Sequence, residues 1–234
     1  NEWKKWWNNE DSCVYQFIGQ DNIYFYGLAE MGIFAGLQLK QTEKKDLTKM
    51  NLPHIVANNH ILFMDKKASS SSTLKPPMAD ELLNYYSPEQ LRMHFLSLGL
   101  STKSVGFKPQ IYLPENEREG QDPALKEGNL LTNVFNRLVR SCLYSSQTYD
   151  EGKIPVGKVN EQLKAMIHQA VLEYERHMYN HDFHRITYVL DSLIRDVNKH
   201  WVNNIKIAEK ESNEVLRTQI LVDGIYGVKV ITTL

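Results

Sequence analysis

Cysteine is scarce in this sequence, which has only Cys13 and Cys142 in 234 residues. Neither belongs to a Cys-x-x-Cys pair, so the pattern excludes a zinc site of that kind and a disulfide framework, and we expect two buried thiols. Long apolar runs are also missing, since no stretch approaches the roughly 20 residues that span a bilayer. The first residues lack the apolar run of a signal peptide. We therefore expect a cytoplasmic protein with no membrane partner and no bound metal.

An excess of charge of either sign is absent as well. The chain carries 27 Lys and Arg against 28 Asp and Glu, a net charge of -1. Bulk charge therefore does not indicate a nucleic-acid partner, and any such binding must use local patches. The hydrophobic content of 42% is enough for one good core or two small ones.

The first part of the chain, residues 1–75, has an α/β pattern. An apolar run at 13–18 predicts a buried strand, Gly19 ends it, and 21–37 predicts a helix that Asp21 is expected to cap. A second strand is predicted at 54–64. It leads into a pair of lysines and a serine tract, which by itself is typical of a flexible linker.

The rest of the chain predicts helices. Ser87, Pro88 and Glu89 fit the start of one of them, and a polar, proline-containing loop at 109–123 indicates the main domain boundary. Three long stretches then place apolar residues every three or four positions, namely Leu130, Val134, Leu138 and Cys142; Val159, Leu163, Met166, Ala170 and Tyr174; and Phe183, Ile186, Leu190, Leu193, Val197 and Trp201. A fourth begins near Val215. The pattern predicts an antiparallel helical bundle.

Both ends of the chain suggest a missing segment. The chain opens on a strand with no partner before it, and it closes at 230–234 without a capping pattern. We expect an N-terminal half that is not part of this sequence.

Residues 17–26, Phe-Ile-Gly-Gln-Asp-Asn-Ile-Tyr-Phe-Tyr, resemble the Phe-Ile-Gly-Lys-Asp-x-x-x-Phe-His segment of methionyl-tRNA synthetases, which are class I aminoacyl-tRNA synthetases. Residues 67–71, Lys-Ala-Ser-Ser-Ser, fall where that family has its Lys-Met-Ser-Lys-Ser loop. Leu91-Arg92 with Phe95 is similar to a segment that follows the loop. Further on, residues 133–140 resemble the anticodon-reading helix, and Trp201 stands where the family has a base-stacking tryptophan. The shared order of the motifs carries the resemblance.

The resemblance implies part of a Rossmann-like nucleotide-binding fold followed by an all-α bundle. It assigns 1–75 to the second half of the catalytic fold, 76–124 to a connector that contacts the tRNA stem, and 125–234 to anticodon binding. The implied activity is that of a methionine–tRNA ligase, which activates an amino acid with ATP and Mg²⁺ and transfers it to tRNA. The implied partners are tRNA, ATP, methionine or an analogue, and the missing N-terminal half, without which the chain is expected to be inactive.

The resemblance also implies site residues. The carboxylate of the amino acid attacks the α-phosphate of ATP, so cations and donors are needed where negative charge builds up. The implied catalytic residues are Lys67, Ser69, Ser70 and Ser71, and the implied ATP and amino-acid contacts are Gly19, Asp21, Tyr26, Glu30 and Lys66. The implied anticodon contacts are Asn133, Asn136, Arg140 and Trp201.

Two departures from the family pattern bear on the substrate. Ser70 replaces the second loop lysine, a loss worth roughly 3 kcal/mol of transition-state stabilisation if nothing compensates. Tyr26 and Glu30 replace a histidine and a tryptophan of the methionine pocket. A carboxylate is costly in an apolar pocket, which leaves the activated amino acid open.

Each assignment has a structural alternative. Gly19 and Asp21 also fit a strand-end glycine and an N-cap, the polar face at 133–140 also fits a solvated helix surface, and Trp201 also fits a core aromatic. His177, His181 and His184 are better explained by a turn between two helices than by a metal site. The alternative function is a catalytically degenerate binding module for tRNA or a protein partner.

Overall fold

A computed structural model describes residues 2, 5–6, 11–38, 52–67, 75–118, 120 and 122–234. The chain divides into two compact units. The first unit comprises Asn1–Ser72 and Leu100–Phe107, and the second comprises Thr73–Gly99 and Lys108–Leu234. Residues of the predicted connector, 76–124, therefore belong to both units.

The first unit contains a parallel pair of strands joined by a helical crossover. Strand β1, Tyr15–Gly19, pairs with β2, His54–Asn58, in the register Tyr15↔His54 to Gly19↔Asn58. A 3-10 helix at Gln20–Asn22 and a π-helix at Tyr24–Ala29 lead into α1, Glu30–Gln38. This confirms the predicted strand, turn and helix. Because the strands are parallel, both end at the same edge of the sheet.

A second small sheet in the first unit has three strands, of which the first in chain order is the central one. Its strands are β3, Ile61–Phe63; β4, Lys66–Lys67; and β5, Val105–Phe107. Strand β4 is antiparallel to β3, and β5 is parallel to β3. Met64 and Asp65 join β3 to β4 with φ of 49° and 61°, as a two-residue hairpin with two left-handed positions requires.

The prediction of one strand over 54–64 was wrong. It splits into β2 and β3 at Asn59 and His60. The backbone N–H of Asn59 donates to the carbonyl of Leu100 at 2.7 Å, and its side-chain amide donates to the same oxygen at 2.9 Å. Because these bonds occupy the groups that would extend the ladder, the chain leaves one sheet and enters the other.

The second unit is helical, which confirms the predicted order of an α/β region followed by a bundle. Its α-helices, in chain order, are α2, Ala79–Leu82; α3, Pro88–Ser97; α4, Pro123–Asn129; α5, Asn136–Tyr149; α6, Glu161–Tyr179; α7, Phe183–Lys210; and α8, Glu214–Thr233. A π-helix at Leu130–Phe135 joins α4 to α5. Two short 3-10 helices lie at Gln110–Tyr112 and Glu115–Glu117. As predicted, Ser87 caps α3, where its hydroxyl accepts from the N–H of Gln90.

The core of the second unit lies along the predicted apolar stripes. Its fully buried members include Leu138, Cys142, Ile194, Val197 and Trp201. Cys13, in contrast, is exposed, so the expectation of two buried thiols held only for Cys142. Within the described ranges, no helix is long and apolar enough to cross a membrane.

Glycine lets α8 approach this core closely. A Cβ atom at Gly224 would lie 2.6 Å from Cε3 of Trp201 and 2.9 Å from Sγ of Cys142. Both distances are shorter than van der Waals contact, so no larger residue fits without movement of the core. The glycine therefore fixes the position of the Trp201 ring.

Candidate functional sites

Three of the predicted site residues in the first unit lie together. Nζ of Lys67 is 3.7 Å from Oδ2 of Asp21, and both side chains are about half exposed, at 57% and 52%. A Cβ atom at Gly19 would lie 2.8 Å from Oδ1 of Asp21, so a larger residue would require this carboxylate to rotate away from its position here. The strand end, the carboxylate and the ammonium thus form one cluster, the Gly19–Asp21–Lys67 cluster, at the edge where β1 and β2 end.

The cluster corrects one expectation about Asp21. The residue that precedes the 3-10 helix is Gly19, no side chain caps that helix, and Asp21 lies inside its first turn. Asp21 is therefore not an N-cap, and its carboxylate faces Lys67. Lys66 is exposed on β4, next to Lys67. Ser69, Ser70 and Ser71 lie outside the described residues.

Glu30 forms a polar pair with a residue that the sequence did not single out. Its Oε1 accepts a hydrogen bond from Nε2 of Gln16 at 2.9 Å. Oε2 of Glu30 and Oε1 of Gln16 are buried and have no hydrogen-bond partner in the described part of the chain. The sequence indicated this contact only through Gln16, a polar residue within the otherwise apolar run of β1. Tyr26, four residues before Glu30, is 39% exposed.

A polar groove lies on the surface of the second unit. The lining side chains come from the π-helix and from α5, and they are Thr132, Asn133, Asn136, Arg137, Arg140, Ser141, Leu143 and Tyr144. The groove brings together three of the four residues predicted to contact an anticodon, Asn133, Asn136 and Arg140, all of them exposed. We call this surface the α5 groove.

Tyr144 belongs to the α5 groove and was missed. Its side chain is 71% exposed. It follows Arg140 by four residues, as Arg140 follows Asn136, and this spacing places successive side chains on one face of a helix. The sequence shows this spacing, but it does not show whether an aromatic side chain is exposed or buried.

Trp201 does not belong to the exposed surface of the groove. Its side chain is 2% exposed, and its Nε1 donates to Oγ of Ser141 at 2.9 Å. A ring with both faces covered cannot stack on a base, so the base-stacking prediction for Trp201 does not fit this structure. Its place in the core matches the alternative interpretation, because Trp201 continues the apolar stripe that includes Val197.

The two π-helices coincide with predicted site residues. One contains Tyr26 and the other contains Asn133. A π-turn holds an extra residue, which changes the direction of the side chains that follow, and such turns occur frequently at functional sites. The assignments of Tyr26 and Asn133 as contact residues stay predictions that rest on the family motifs.

The three histidines at the α6–α7 junction flank a turn, as expected. Helix α6 ends at Tyr179 and α7 begins at Phe183, with His181 between them at φ 60°. Nδ1 of the buried His177 lies 3.9 Å from Oδ2 of Asp182. Across the described residues, no three His, Cys, Asp or Glu side chains are grouped so that they could hold a metal ion.

A comparison with protein families bears directly on these sites. Residues 1–122 match the family described as tRNA synthetases class I (M). The chain belongs to this family. The match covers the Gly19–Asp21–Lys67 cluster and the Gln16–Glu30 pair, and it ends before the α5 groove.

Curated relatives and solved structures are consistent with this family. A methionine–tRNA ligase of Bifidobacterium animalis subsp. lactis is 25% identical over 207 residues, which cover 85% of this chain and 31% of the relative. That of Corynebacterium jeikeium is 32% identical over 139 residues, 57% of this chain and 22% of the relative. The crystal structure of Mycobacterium tuberculosis methionyl-tRNA synthetase bound by methionyl-adenylate has a TM-score of 0.70 at 14% identity, and the match covers 95% of this chain and 41% of that one. The fold is therefore that of a class I tRNA synthetase (M), and the chain spans less than half the length of these relatives.

Proposed function

We propose that this chain is part of an aminoacyl-tRNA synthetase that activates an amino acid with ATP and transfers it to tRNA. In this proposal, residues 1–75 bind the nucleotide. Residues 76–124 contact the tRNA stem, and residues 125–234 bind the anticodon. The α5 groove is the observation that carries tRNA binding, because it exposes amide and guanidinium groups side by side on one helix. Membership of the synthetase family supports the reaction itself.

The Gly19–Asp21–Lys67 cluster fits the ATP side of this reaction. The carboxylate oxygen of the amino acid attacks the α-phosphorus of ATP, and the bond to pyrophosphate breaks, so negative charge increases on the leaving phosphates. An ammonium placed there stabilises that charge. The Lys67–Asp21 pair is about half exposed, and exposed ion pairs are weak, so Lys67 can exchange Asp21 for a phosphate at little cost. Mg²⁺ would arrive with the nucleotide, since it is usually held by phosphates and one or two carboxylates.

The Gln16–Glu30 pair fits a polar contact to the amino acid. Two buried acceptor oxygens, one on each residue, have no partner in the described part of the chain. A ligand that supplies an N–H or O–H donor would satisfy them, which a thioether does not. The substrate in this proposal is therefore methionine bound through its ammonium, or an analogue with a donor on its side chain.

The first test is tRNA binding. The purified 234-residue chain is expected to retain tRNA on a filter at moderate salt, and Arg140→Ala or Asn136→Ala is expected to weaken binding about 5- to 150-fold, because each removes hydrogen bonds to base edges. Arg176→Ala, an exposed arginine on α6 outside the groove, is the matched control for loss of charge. Equal weakening by all three variants, or no retention of tRNA, would contradict the proposal.

The chain alone is not expected to catalyse activation. It spans 41% of the tuberculosis enzyme, and the synthetase reaction is proposed for the whole protein. Amino-acid-dependent exchange of pyrophosphate into ATP is therefore expected to be absent from the purified chain, while tRNA binding is retained. Exchange by the chain alone would contradict this expectation and show that these 234 residues suffice for activation.

A further inference from the structure

The α5 groove has one large aromatic side chain at its exposed surface. Tyr144 is 71% exposed, whereas its neighbours in the groove are mainly amides, hydroxyls and guanidinium groups. Single exposed aromatic residues are common on proteins. Its position at the end of a polar row is what distinguishes Tyr144.

Three residues of α5 form that row. Asn136, Arg140 and Tyr144 are each four residues apart in a helix that runs without interruption from Asn136 to Tyr149. Residues at this spacing are neighbours on the helix surface. At a rise of about 1.5 Å per residue, the row is about 12 Å long. Stacked nucleotides follow one another every 3.4 Å or so, and therefore three to four of them match this length.

We propose that Tyr144 is the base-stacking residue of the α5 groove, and that the groove takes about three consecutive unpaired nucleotides, the last of them stacked on the phenol ring. This inference rests on the proposed function and adds the side chain on which a base of the bound loop is stacked. Aromatic side chains stack on any base, while amide and guanidinium groups contact base edges and phosphates. Trp201 cannot supply the stacking surface, because it is 2% exposed and its N–H is bonded to Ser141.

The charges of the groove favour RNA over a protein segment as the occupant. Arg137 and Arg140 give it two guanidinium groups, and none of the described residues that line it is acidic. Phosphates are the complement of such a surface, and Arg is suited to bidentate contacts with them. Besides Tyr144, Leu143 is the only large apolar side chain among the described residues that line the groove, whereas a peptide helix binds in a groove lined with several such side chains.

The test is a binding series with the full 234-residue chain and two labelled RNAs, a hairpin with an unpaired loop and a fully paired duplex of the same length. Tyr144→Ala is expected to weaken hairpin binding about 5- to 150-fold, as loss of one base–aromatic stack does. Tyr144→Phe keeps the ring and is expected to bind as the wild type does. Tyr179→Ala is the matched control, since Tyr179 is 83% exposed on α6, away from the groove. The duplex is expected to bind weakly and to be indifferent to all three changes.

The outcomes separate this inference from the proposed function. If Arg140→Ala weakens hairpin binding but Tyr144→Ala does not, the proposed function stands and the stacking role is overturned. If Tyr144→Phe weakens binding as much as Tyr144→Ala, the hydroxyl group rather than the ring makes the contact, which also overturns it. If the wild-type chain binds neither RNA, both proposals fail.

Discussion

At the residue scale, the Gln16–Glu30 pair is unusual because each of its partly buried side chains has one fully buried oxygen atom. A buried polar group normally has a partner, and one without a partner costs about 1–3 kcal/mol. Here two oxygens, Oε2 of Glu30 and Oε1 of Gln16, lack one in the described part of the chain. Natural proteins retain such costs mainly at functional sites. The pair therefore fits the proposed contact to the amino acid.

A conservative substitution tests this cost. Glu30→Gln is expected to raise the free energy of unfolding by about 1–3 kcal/mol, because the new amide can donate to Oε1 of Gln16 and the buried oxygen Oε2 no longer lacks a partner. The measurement is urea unfolding of the chain and the variant. Gln16→Glu is the matched control, and it is expected to destabilise the protein because it places two carboxylates together. A neutral or destabilising Glu30→Gln would mean that the two oxygens already have partners in solution, such as water.

Residues also show where sequence reasoning stops. The sequence indicates that Asn133, Asn136 and Arg140 share one face, because helical spacing alone decides it, and the structure agrees. The sequence does not decide whether Trp201 or Tyr144 is exposed. Trp201 is buried because Gly224 makes room for its ring and Ser141 accepts its N–H, and these contacts join distant parts of the chain.

At the element scale, the long helices were predictable because each has a continuous apolar stripe. Helical spacing of apolar residues predicts a helix without information on which element packs against it. The strands are shorter and depend on remote contacts. The break at Asn59 requires the carbonyl of Leu100, 41 positions away, and nothing local indicates it. The bounds of the long helices were therefore predicted more reliably than those of the short strands.

The packing of α8 on α7 gives a prediction at this scale. Gly224→Ala is expected to lower the free energy of unfolding by about 1–3 kcal/mol, because the added methyl group would meet Trp201 and Cys142 inside contact distance. Gly36→Ala on α1 is the matched control. No described heavy atom lies within 4 Å of the methyl group there, and alanine favours the helix by about 0.5–1 kcal/mol.

Thermal and urea unfolding of the two variants provide the measurement. Opposite signs for Gly224→Ala and Gly36→Ala are expected. If Gly224→Ala is as stable as the wild type, α8 does not lie as close to the Trp201 ring as the structure places it. That result would also reopen the question of whether Trp201 can reach the surface.

At the scale of the whole molecule, two weak acids are buried in the second unit, and their burial is expected to make the free energy of unfolding fall at alkaline pH. Burial raises the pKa of the Cys142 thiol to about 12. Burial, with a hydrogen bond to Asp122 as the next cause, raises the pKa of the Tyr86 phenol as well. Both groups are neutral when protonated, and the folded state therefore favours the protonated form.

The direction of the effect follows from linkage. A thiol in the unfolded chain titrates near pH 8.5, below the pKa of the folded protein. The contribution of Cys142 is therefore complete below about pH 8.5 and is lost as the pH rises towards 12. The free energy of unfolding is expected to fall by about 1.4 kcal/mol per pH unit from this thiol over that interval. Loss of the Tyr86 contribution begins near pH 10, the usual pKa of tyrosine, and steepens the fall.

Urea unfolding at several pH values between 8 and 11 measures this dependence, and two variants assign it. Cys142→Ala is expected to be less stable at pH 8, because it leaves a small cavity, but to lose less stability as the pH rises. Tyr86→Phe is expected to remove the additional fall of the free energy of unfolding above pH 10, while the fall due to Cys142 remains. Equal pH slopes for Cys142→Ala and the wild type would mean that water reaches this thiol in the native state. The core around Cys142 and Trp201 would then be more accessible to water than the close contact between Gly224 and Trp201 allows.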